Sequence, residues 1–124
     1  MGLRKMNDSM TVADFKEKIQ VFCEARNWDQ FHGIKDLSIG LVTEACELLE
    51  IFRFKSESET EKLMAGADKK RVEEELSDVL FFVMRIAEKY QINLSQAFLE
   101  KMKGNAIRYP VEKAFNSNKK YNEF

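Results

Sequence analysis

Two short acidic motifs contain the residues of this chain that are best suited to bind a metal ion or to catalyse a reaction. Glu44 and Glu47 stand three positions apart, as do Glu75 and Asp78, and each pair lies in an otherwise apolar stretch, GLVTEACELLEIF or EEELSDVLFF. Carboxylate oxygens, without nitrogen or sulfur ligands, select hard divalent cations. The motifs therefore predict binding of Mg²⁺, with Mn²⁺ as a substitute.

Helical spacing predicts that both pairs lie on apolar faces. An α-helix turns by about 100° per residue, so residues three apart lie roughly 60° apart around its axis. The apolar residues expected on the two faces are Leu37, Leu41, Leu48, Ile51, Val72, Val79, Phe82 and Ile86. Like charges held in such places are costly unless a cation offsets them.

Two other interpretations of the acids are weaker. Surface salt bridges can hold a single acidic residue at the edge of an apolar face, but two pairs on the two most apolar segments strain that explanation. A di-iron bundle needs a Glu-x-x-His motif on each of two helices. The chain has one histidine, His32, outside both acidic segments, so we reject a di-iron site.

A motif near the C-terminus could bind a polyphosphate. Lys101, Asn105 and Arg108 are four and three residues apart, so they share one face of a predicted helix. An ammonium, an amide and a guanidinium on one face can hold phosphate oxygens. A solvated helix face has the same pattern, so the motif alone does not decide between the two.

The aromatic residues and the histidine give weaker signals. Trp28, Phe31, Phe54 and Phe82 could stack on a nucleobase. Ordinary core packing is the simpler explanation for each of them singly, and a lone histidine is more often structural than catalytic.

Four amphipathic helices are predicted to position these residues. Apolar periodicity and capping signals place them at about 11–26, 36–54, 68–90 and 94–108. The connection 27–36 is rich in aromatic residues, and 55–70 is predicted to be an exposed loop that can include a short helical piece. The expected architecture is one all-α domain over residues 1–124, a four-helix bundle with its core at about 11–115 and peripheral termini.

The composition excludes several classes of partner. Twenty basic and 21 acidic residues give a net charge of −1, so no overall field attracts nucleic acid or a membrane surface. No apolar run has the length of a signal peptide or a membrane span. Cys23 and Cys46 form no ligand motif and suit a reducing compartment. We therefore expect a cytoplasmic protein with neither a nucleic-acid nor a membrane partner.

Taken together, the motifs resemble those of the MazG-like all-α nucleotide pyrophosphohydrolases. The paired pattern Glu44-x-x-Glu47 and Glu75-x-x-Asp78 is similar to the signature of that family. Four segments resemble its dCTP pyrophosphatase branch, over roughly residues 12–115: WDQFHGIKDL, LVTEACELLEIF, EELSDVL and KMKGNAIRYPVEKA.

This resemblance implies a reaction and a set of site residues. A nucleoside triphosphate such as dCTP would be cleaved to the monophosphate and pyrophosphate, in a homotetramer built as a dimer of dimers. The Mg²⁺ ligands and catalytic residues would be the acids Glu44, Glu47, Glu75 and Asp78, with Glu44 or Glu47 able to orient a water. The substrate would be bound by Trp28, His32, Phe54, Phe82, Lys101, Asn105, Arg108 and Tyr109.

Two positions depart from that branch and leave alternatives open. Phe54 stands where the branch carries a Trp, and Phe82 where it commonly carries a Tyr, so we expect dCTP to be accepted with only a modest preference. A less selective house-cleaning enzyme acting on modified nucleotides is one alternative. The other is a non-enzymatic helical interaction module with a structural metal site.

Overall fold

The computed structural model describes residues 9–124, and within them every regular element is helical. In chain order the α-helices are α1 (Val12–Ala25), α2 (Ile34–Phe52), α3 (Glu57–Ala65), α4 (Lys69–Lys89), α5 (Leu94–Arg108) and α6 (Val111–Ala114). Short 3₁₀ turns lie at Asp29–Phe31 and Tyr121–Glu123. The all-α prediction is thus confirmed for the described residues. The predicted peripheral N-terminus falls mainly on residues 1–8, outside the described part.

The four predicted helices correspond to α1, α2, α4 and α5, and α5 has the predicted bounds at both ends. The structure has two further helices: α6, which was not predicted, and α3, which is the short helical piece that the prediction for 55–70 allowed. Helix α3 forms inside the predicted loop, where Ser56 and Glu59 make a capping box. The Ser56 hydroxyl accepts from the Glu59 N–H at 3.2 Å, and the Glu59 carboxylate accepts from the Ser56 N–H at 2.9 Å. Such a cap satisfies two backbone donors that a short helix otherwise leaves free.

The chain divides into two compact units, one ending at Gln91 and one spanning Ile92–Phe124. In the first unit, α4 packs against α1, α2 and α3. Its buried apolar residues are Cys23, Leu37, Ile51, Val72, Met84 and Ala87. That the two units form one domain stays a prediction. Among the described helices, none combines the length and the apolar character needed to cross a membrane.

The second unit contains α5, α6 and the C-terminal 3₁₀ turn. Tyr109, directly after α5, makes edge-to-face ring contacts with Tyr121 at 6.0 Å and with Phe124 at 5.9 Å. The guanidinium carbon of Arg108 lies 5.0 Å from the centre of the Tyr121 ring. The C-terminal tail therefore folds back onto the end of α5.

One glycine permits close packing between α2 and α4. A Cβ atom built on Gly40 would lie 2.4 Å from Cε1 of Phe82, which is far inside van der Waals contact. The Phe82 ring therefore occupies space that any other residue at position 40 would need. Glu44 lies one turn after Gly40 on α2, and Asp78 one turn before Phe82 on α4. This contact thereby helps to set where the acidic residues of the two helices meet.

Candidate active site

Three of the four acids predicted as metal ligands come together between α2 and α4. One carboxylate oxygen from each of Glu44, Glu75 and Asp78 lies within 4.8 Å of the other two. Glu44 and Glu75 are half-buried and Asp78 is exposed. Glu47 is exposed on α2 and lies outside this group of three. The acids thus line the edge of the α2–α4 contact and are less buried than their helical spacing suggests.

The electrostatics of the acidic group centre on Glu44. Partial burial raises the pKa of the Glu44 carboxyl above its ordinary value, and the neighbouring charges of Asp78, Glu75 and Glu47 raise it further. A hydrogen bond to Glu75 acts in the same direction. Glu47 is therefore close enough to interact with the group although it is not part of it. The negative charges of these neighbours favour a positive charge at this place.

The donor set fits a hard divalent cation. Octahedral Mg²⁺ holds oxygens at about 2.0–2.1 Å, which places neighbouring ligand oxygens roughly 3–4 Å apart. Carboxylate oxygens within 4.8 Å of one another can reach that geometry through small side-chain rotations. All three groups are oxygen donors, as Mg²⁺ and Mn²⁺ prefer.

A row of aromatic rings leads from His32 to Phe82. Consecutive ring centres are 5.8 Å apart for His32 and Trp28, 5.5 Å for Trp28 and Phe22, 6.1 Å for Phe22 and Phe81, and 5.3 Å for Phe81 and Phe82. The row joins three predicted substrate residues, Trp28, His32 and Phe82. Sequence reasoning missed Phe22 and Phe81 as members, because their periodicity marks them only as residues of apolar helix faces.

A buried arginine fixes the connection that carries Trp28 and His32. The Arg85 side chain is 1% exposed, and its Nε donates a hydrogen bond to His32 Nδ1 at 2.9 Å. Its two terminal nitrogens donate to Glu88 at 2.5 Å and to Asp29. The ammonium of Lys89 donates to the backbone carbonyls of Asp29, at 2.8 Å, and His32. We call Arg85, Asp29, His32, Glu88 and Lys89 the Arg85 cluster.

Charges in the Arg85 cluster shift two pKa values. The hydrogen bond from Arg85 is the main cause that lowers the pKa of the Asp29 carboxyl. Burial, and then the positive charges of Arg85 and Lys89, lower the pKa of His32 below its ordinary value of 6.5. Sequence reasoning missed Arg85, and the signal that could have found it is a charged residue inside the apolar run FFVMRIA.

Phe54 lies apart from the aromatic row in a strained conformation. It follows α2, its φ is 65° and its side chain is 89% exposed. The guanidinium carbon of Arg53 lies 4.5 Å from its ring centre. A bulky residue in the left-handed region is uncommon, and such strain is often found at functional sites.

The predicted phosphate-binding residues Lys101, Asn105, Arg108 and Tyr109 belong to the second unit. The amide of Asn105 contacts the sulfur of Met102 at 3.7 Å. Arg108 and Tyr109 contact aromatic residues of the C-terminal turn, while Lys101 is exposed. Their role toward a substrate stays a prediction.

Comparisons with known proteins identify the family of the chain. The MazG-like family profile matches residues 39–124. The chain is 35% identical over 114 residues to dCTP pyrophosphatase 1 of Homo sapiens, which covers 91% of this chain and 67% of that protein. The corresponding protein of Bos taurus is 34% identical over the same length. A crystal structure of a pyrophosphatase from Archaeoglobus fulgidus DSM 4304 has a similar fold, with a TM-score of 0.76 and 29% identity, over 85% of this chain and 97% of that one.

Proposed function

Because this chain belongs to the MazG-like family and is a nucleotide diphosphatase, we propose that it hydrolyses dCTP or related dNTPs, modified ones included, with Mg²⁺. The products are the nucleoside monophosphate and pyrophosphate, and the biological role is control or cleaning of the nucleotide pool. The observation that carries this proposal is the group of three carboxylates, Glu44, Glu75 and Asp78, within 4.8 Å of one another.

The acidic residues are proposed to hold the cation and to orient water. Glu44, Glu75 and Asp78 would hold Mg²⁺ or Mn²⁺, with Glu47 as the candidate fourth ligand. When bound, the cation supplies positive charge that offsets the negative charge developing on the triphosphate. Glu47 is exposed beside the group, so its carboxylate can orient an attacking water as a general base if it is not a ligand. Glu44 is the alternative for this role.

The aromatic row is proposed to bind the base and sugar, through Trp28, His32 and Phe82, with Phe54 as a further stacking surface. Lys101, Asn105, Arg108 and Tyr109 would contact the phosphates or sugar. Phe54 and Phe82 carry no polar group to read a base, and a pocket that works by shape and stacking discriminates by about 1–3 kcal/mol for each contact. We therefore expect dCTP to be preferred over the next-best natural deoxynucleotide by less than about a hundredfold.

The assembly is proposed to be a homotetramer, a dimer of dimers. An exposed apolar stripe on α2 supports association between copies of the chain: Ile39, Val42 and Leu49 are 54%, 61% and 66% exposed. With the exposed thiol of Cys46, they follow the three-four spacing of helices that pack side by side. The two free cysteines also support a cytoplasmic location. Sedimentation of the native chain against Val42→Glu tests the stripe, and we expect smaller particles for the variant.

A nucleotide panel tests the activity. Purified protein is incubated with Mg²⁺ and each of several natural and modified nucleoside triphosphates, and release of pyrophosphate is measured with and without a chelator. Glu75→Gln is the loss-of-function variant, and Glu73→Gln, an exposed residue on the same helix, is its matched control. We expect dCTP to be cleaved by the native chain and by Glu73→Gln, and not by Glu75→Gln. Release of single phosphates instead of pyrophosphate would contradict the proposal.

The same panel separates the two enzymatic alternatives. A dCTP-directed enzyme cleaves dCTP at the highest kcat/KM, whereas a house-cleaning enzyme cleaves one of the modified nucleotides faster than any natural one.

A further inference from the structure

The hydrogen bond between Arg85 and His32 fixes where the imidazole carries its proton. A guanidinium stays protonated in proteins and can only donate hydrogen bonds. Arg85 Nε donates to His32 Nδ1 at 2.9 Å, so Nδ1 must be the acceptor and carries no proton. The proton of the neutral ring is therefore on Nε2.

The arginine that makes this bond is itself held firmly. Its side chain is 1% exposed, and its other nitrogens donate to Asp29 and Glu88. Lys89 ties the backbone carbonyls of Asp29 and His32 to the same helix. The hydrogen bond at Nδ1 thus holds the imidazole ring, and the bonds from Lys89 hold the backbone of the segment that carries it.

We propose that Arg85 is a positioning residue that holds His32 as a neutral Nε2–H donor, which meets an acceptor oxygen or nitrogen of the bound nucleotide and does not act as a base. This inference deepens the proposed function and rests on it, because His32 reaches the nucleotide only if the aromatic row binds the base and sugar. His32 is half-buried beside Trp28, with ring centres 5.8 Å apart, and the bond from Arg85 is made at Nδ1, not at Nε2.

The charged groups around His32 favour this neutral state. Arg85 and Lys89 from α4 disfavour a second proton on the ring, while Asp29 of the 3₁₀ turn and Asp36 of α2 favour one. Burial and the two cations outweigh the two acids, since the pKa of His32 is lowered from 6.5. The donor form therefore persists at neutral pH.

Nuclear magnetic resonance of the single histidine tests the tautomer without any activity. In protein labelled with ¹⁵N-histidine, every imidazole signal comes from His32. We expect an unprotonated Nδ1 and a protonated Nε2 in the native chain. Arg85→Met, which has no N–H donor, should give a mixture of tautomers and a higher pKa of His32, and Arg71→Met, at an exposed arginine on the same helix, should leave both unchanged. A proton on Nδ1 in the native chain, or the same tautomer in Arg85→Met, would overturn the proposal.

If Arg85→Met fails to fold, as thermal denaturation would reveal, Asp29→Asn takes its place. That substitution keeps the buried arginine but weakens one of its anchors, so the change in tautomer population should have the same direction and be smaller. An unchanged population in this variant would count against the proposal.

Kinetics with dCTP and Mg²⁺ separate a donor from a base. His32→Phe should raise KM about tenfold, the effect of one lost hydrogen bond to a polar substrate, with little change in kcat. His32→Gln keeps an N–H donor and should restore most of the loss, whereas loss of a base would not be restored. Arg85→Met combined with His32→Phe should be no worse than His32→Phe alone, because Arg85 acts through His32.

Failure of this inference differs from failure of the proposed function. If the native chain releases no pyrophosphate, the proposed function fails, whatever the histidine resonances show. If it releases pyrophosphate but His32→Phe changes kcat and leaves KM as it was, or the Arg85 and His32 effects simply add, the positioning role is wrong.

Discussion

Helix α4 carries two polar clusters that differ in charge balance. Near its N-terminal half, Glu75 and Asp78 meet Glu44 in a group made of carboxylates alone, and the pKa of Glu44 is raised. In its last turns, Arg85 meets Asp29 and Glu88, and the pKa of Asp29 is lowered. Among the described residues, no buried side-chain nitrogen or oxygen lacks a hydrogen-bond partner.

The contrast shows that one helix carries two polar clusters of opposite electrostatic character. Like charges held together favour an added cation and make the ligand-free protein less stable, which is common at functional sites. Opposite charges with complete hydrogen bonding need no ligand, and removing one partner leaves the others uncompensated. Substitutions in the two clusters should therefore have opposite effects on stability.

The largest expected effect is on activity, at the acidic group. Glu44→Gln or Asp78→Asn should lower kcat/KM for dCTP at least a hundredfold, because a lost ligand charge weakens cation binding. The same change should stabilise the chelator-treated protein by about 1 kcal/mol, since it relieves repulsion. Pyrophosphate release and thermal denaturation measure the two effects. Activity within a factor of two of the native chain would show that the substituted residue is not a ligand.

Glu47→Gln sharpens this prediction, because Glu47 lies outside the group of three. If Glu47 orients water, its neutralisation should lower kcat while cation affinity, measured by titration calorimetry, stays near the native value. If it is a ligand, cation affinity should fall together with kcat.

The Arg85 cluster should respond in the opposite direction. Arg85→Met removes the only buried charge of the described residues and leaves Glu88 and His32 unpaired, so the free energy of unfolding should fall by about 3 kcal/mol. Asp29 is 60% exposed and adds little to that loss. Arg53→Met is the control: its ion pair with Glu50 is exposed on both sides, and it should change stability by less than about 0.5 kcal/mol. Similar urea midpoints for Arg85→Met and Arg53→Met would show that the buried Arg85 cluster contributes no more stability than an exposed ion pair.

Gly40→Ala should have a smaller effect, confined to the acidic end of the α2–α4 contact. The new Cβ would meet the Phe82 ring at 2.4 Å, so the ring or helix must move, at a cost of about 1–3 kcal/mol. Gly104→Ala in α5 is the matched control, since nothing lies within 4 Å of the added atom, and it should stabilise the protein by about 0.5–1 kcal/mol. Urea denaturation compares them. Combining Gly40→Ala with Phe82→Leu should recover part of the loss, and no recovery would mean that the ring is not the obstacle.

The smallest expected effect is the pH dependence of stability. His32 has a lowered pKa in the folded state, so the unfolded chain binds a proton more readily below 6.5. His32 therefore contributes stability that is present above pH 6.5 and is lost as the pH falls through the lowered folded value. The difference in unfolding free energy between the native chain and His32→Gln should shrink over that range. A constant difference would show that His32 does not titrate differently on folding.

In the presence of a chelator, the group of three carboxylates should make the free energy of unfolding depend on pH in the opposite direction. The raised pKa of Glu44 means that the folded state holds this proton more tightly, so its contribution to stability is lost as the pH rises above 4.5. Native chain and Glu44→Gln, compared in the same titration, isolate that contribution.

Periodicity predicted the long helices because each buries one face, a signal that every turn repeats. It also identified both acidic motifs, and three of the four acids meet in the structure. Periodicity did not distinguish Glu47 from the other three acids. Residues about 60° apart around a helix axis can lie one inside and one outside the contact between two helices. The Arg85 cluster was out of reach, since it joins residues more than fifty positions apart through side-chain bonds that leave no periodic trace. For 55–70 the sequence predicted an exposed loop that can include a short helical piece, because the dense charges around Ser56 and Glu59 leave no apolar pattern to fix a helix.

The neighbours of Trp28 make the protein its own optical reporter. Trp28 is the single tryptophan of the chain and is partly exposed, and its ring centre lies 5.5 Å from that of Phe22 and 5.8 Å from that of His32. Its fluorescence therefore comes from one place, the connection before α2, and not from an average over the fold. A protonated imidazole quenches indole emission more than a neutral one does, so this single signal reports the charge of His32 in real time. Stopped-flow mixing could then follow events at this connection without any attached dye.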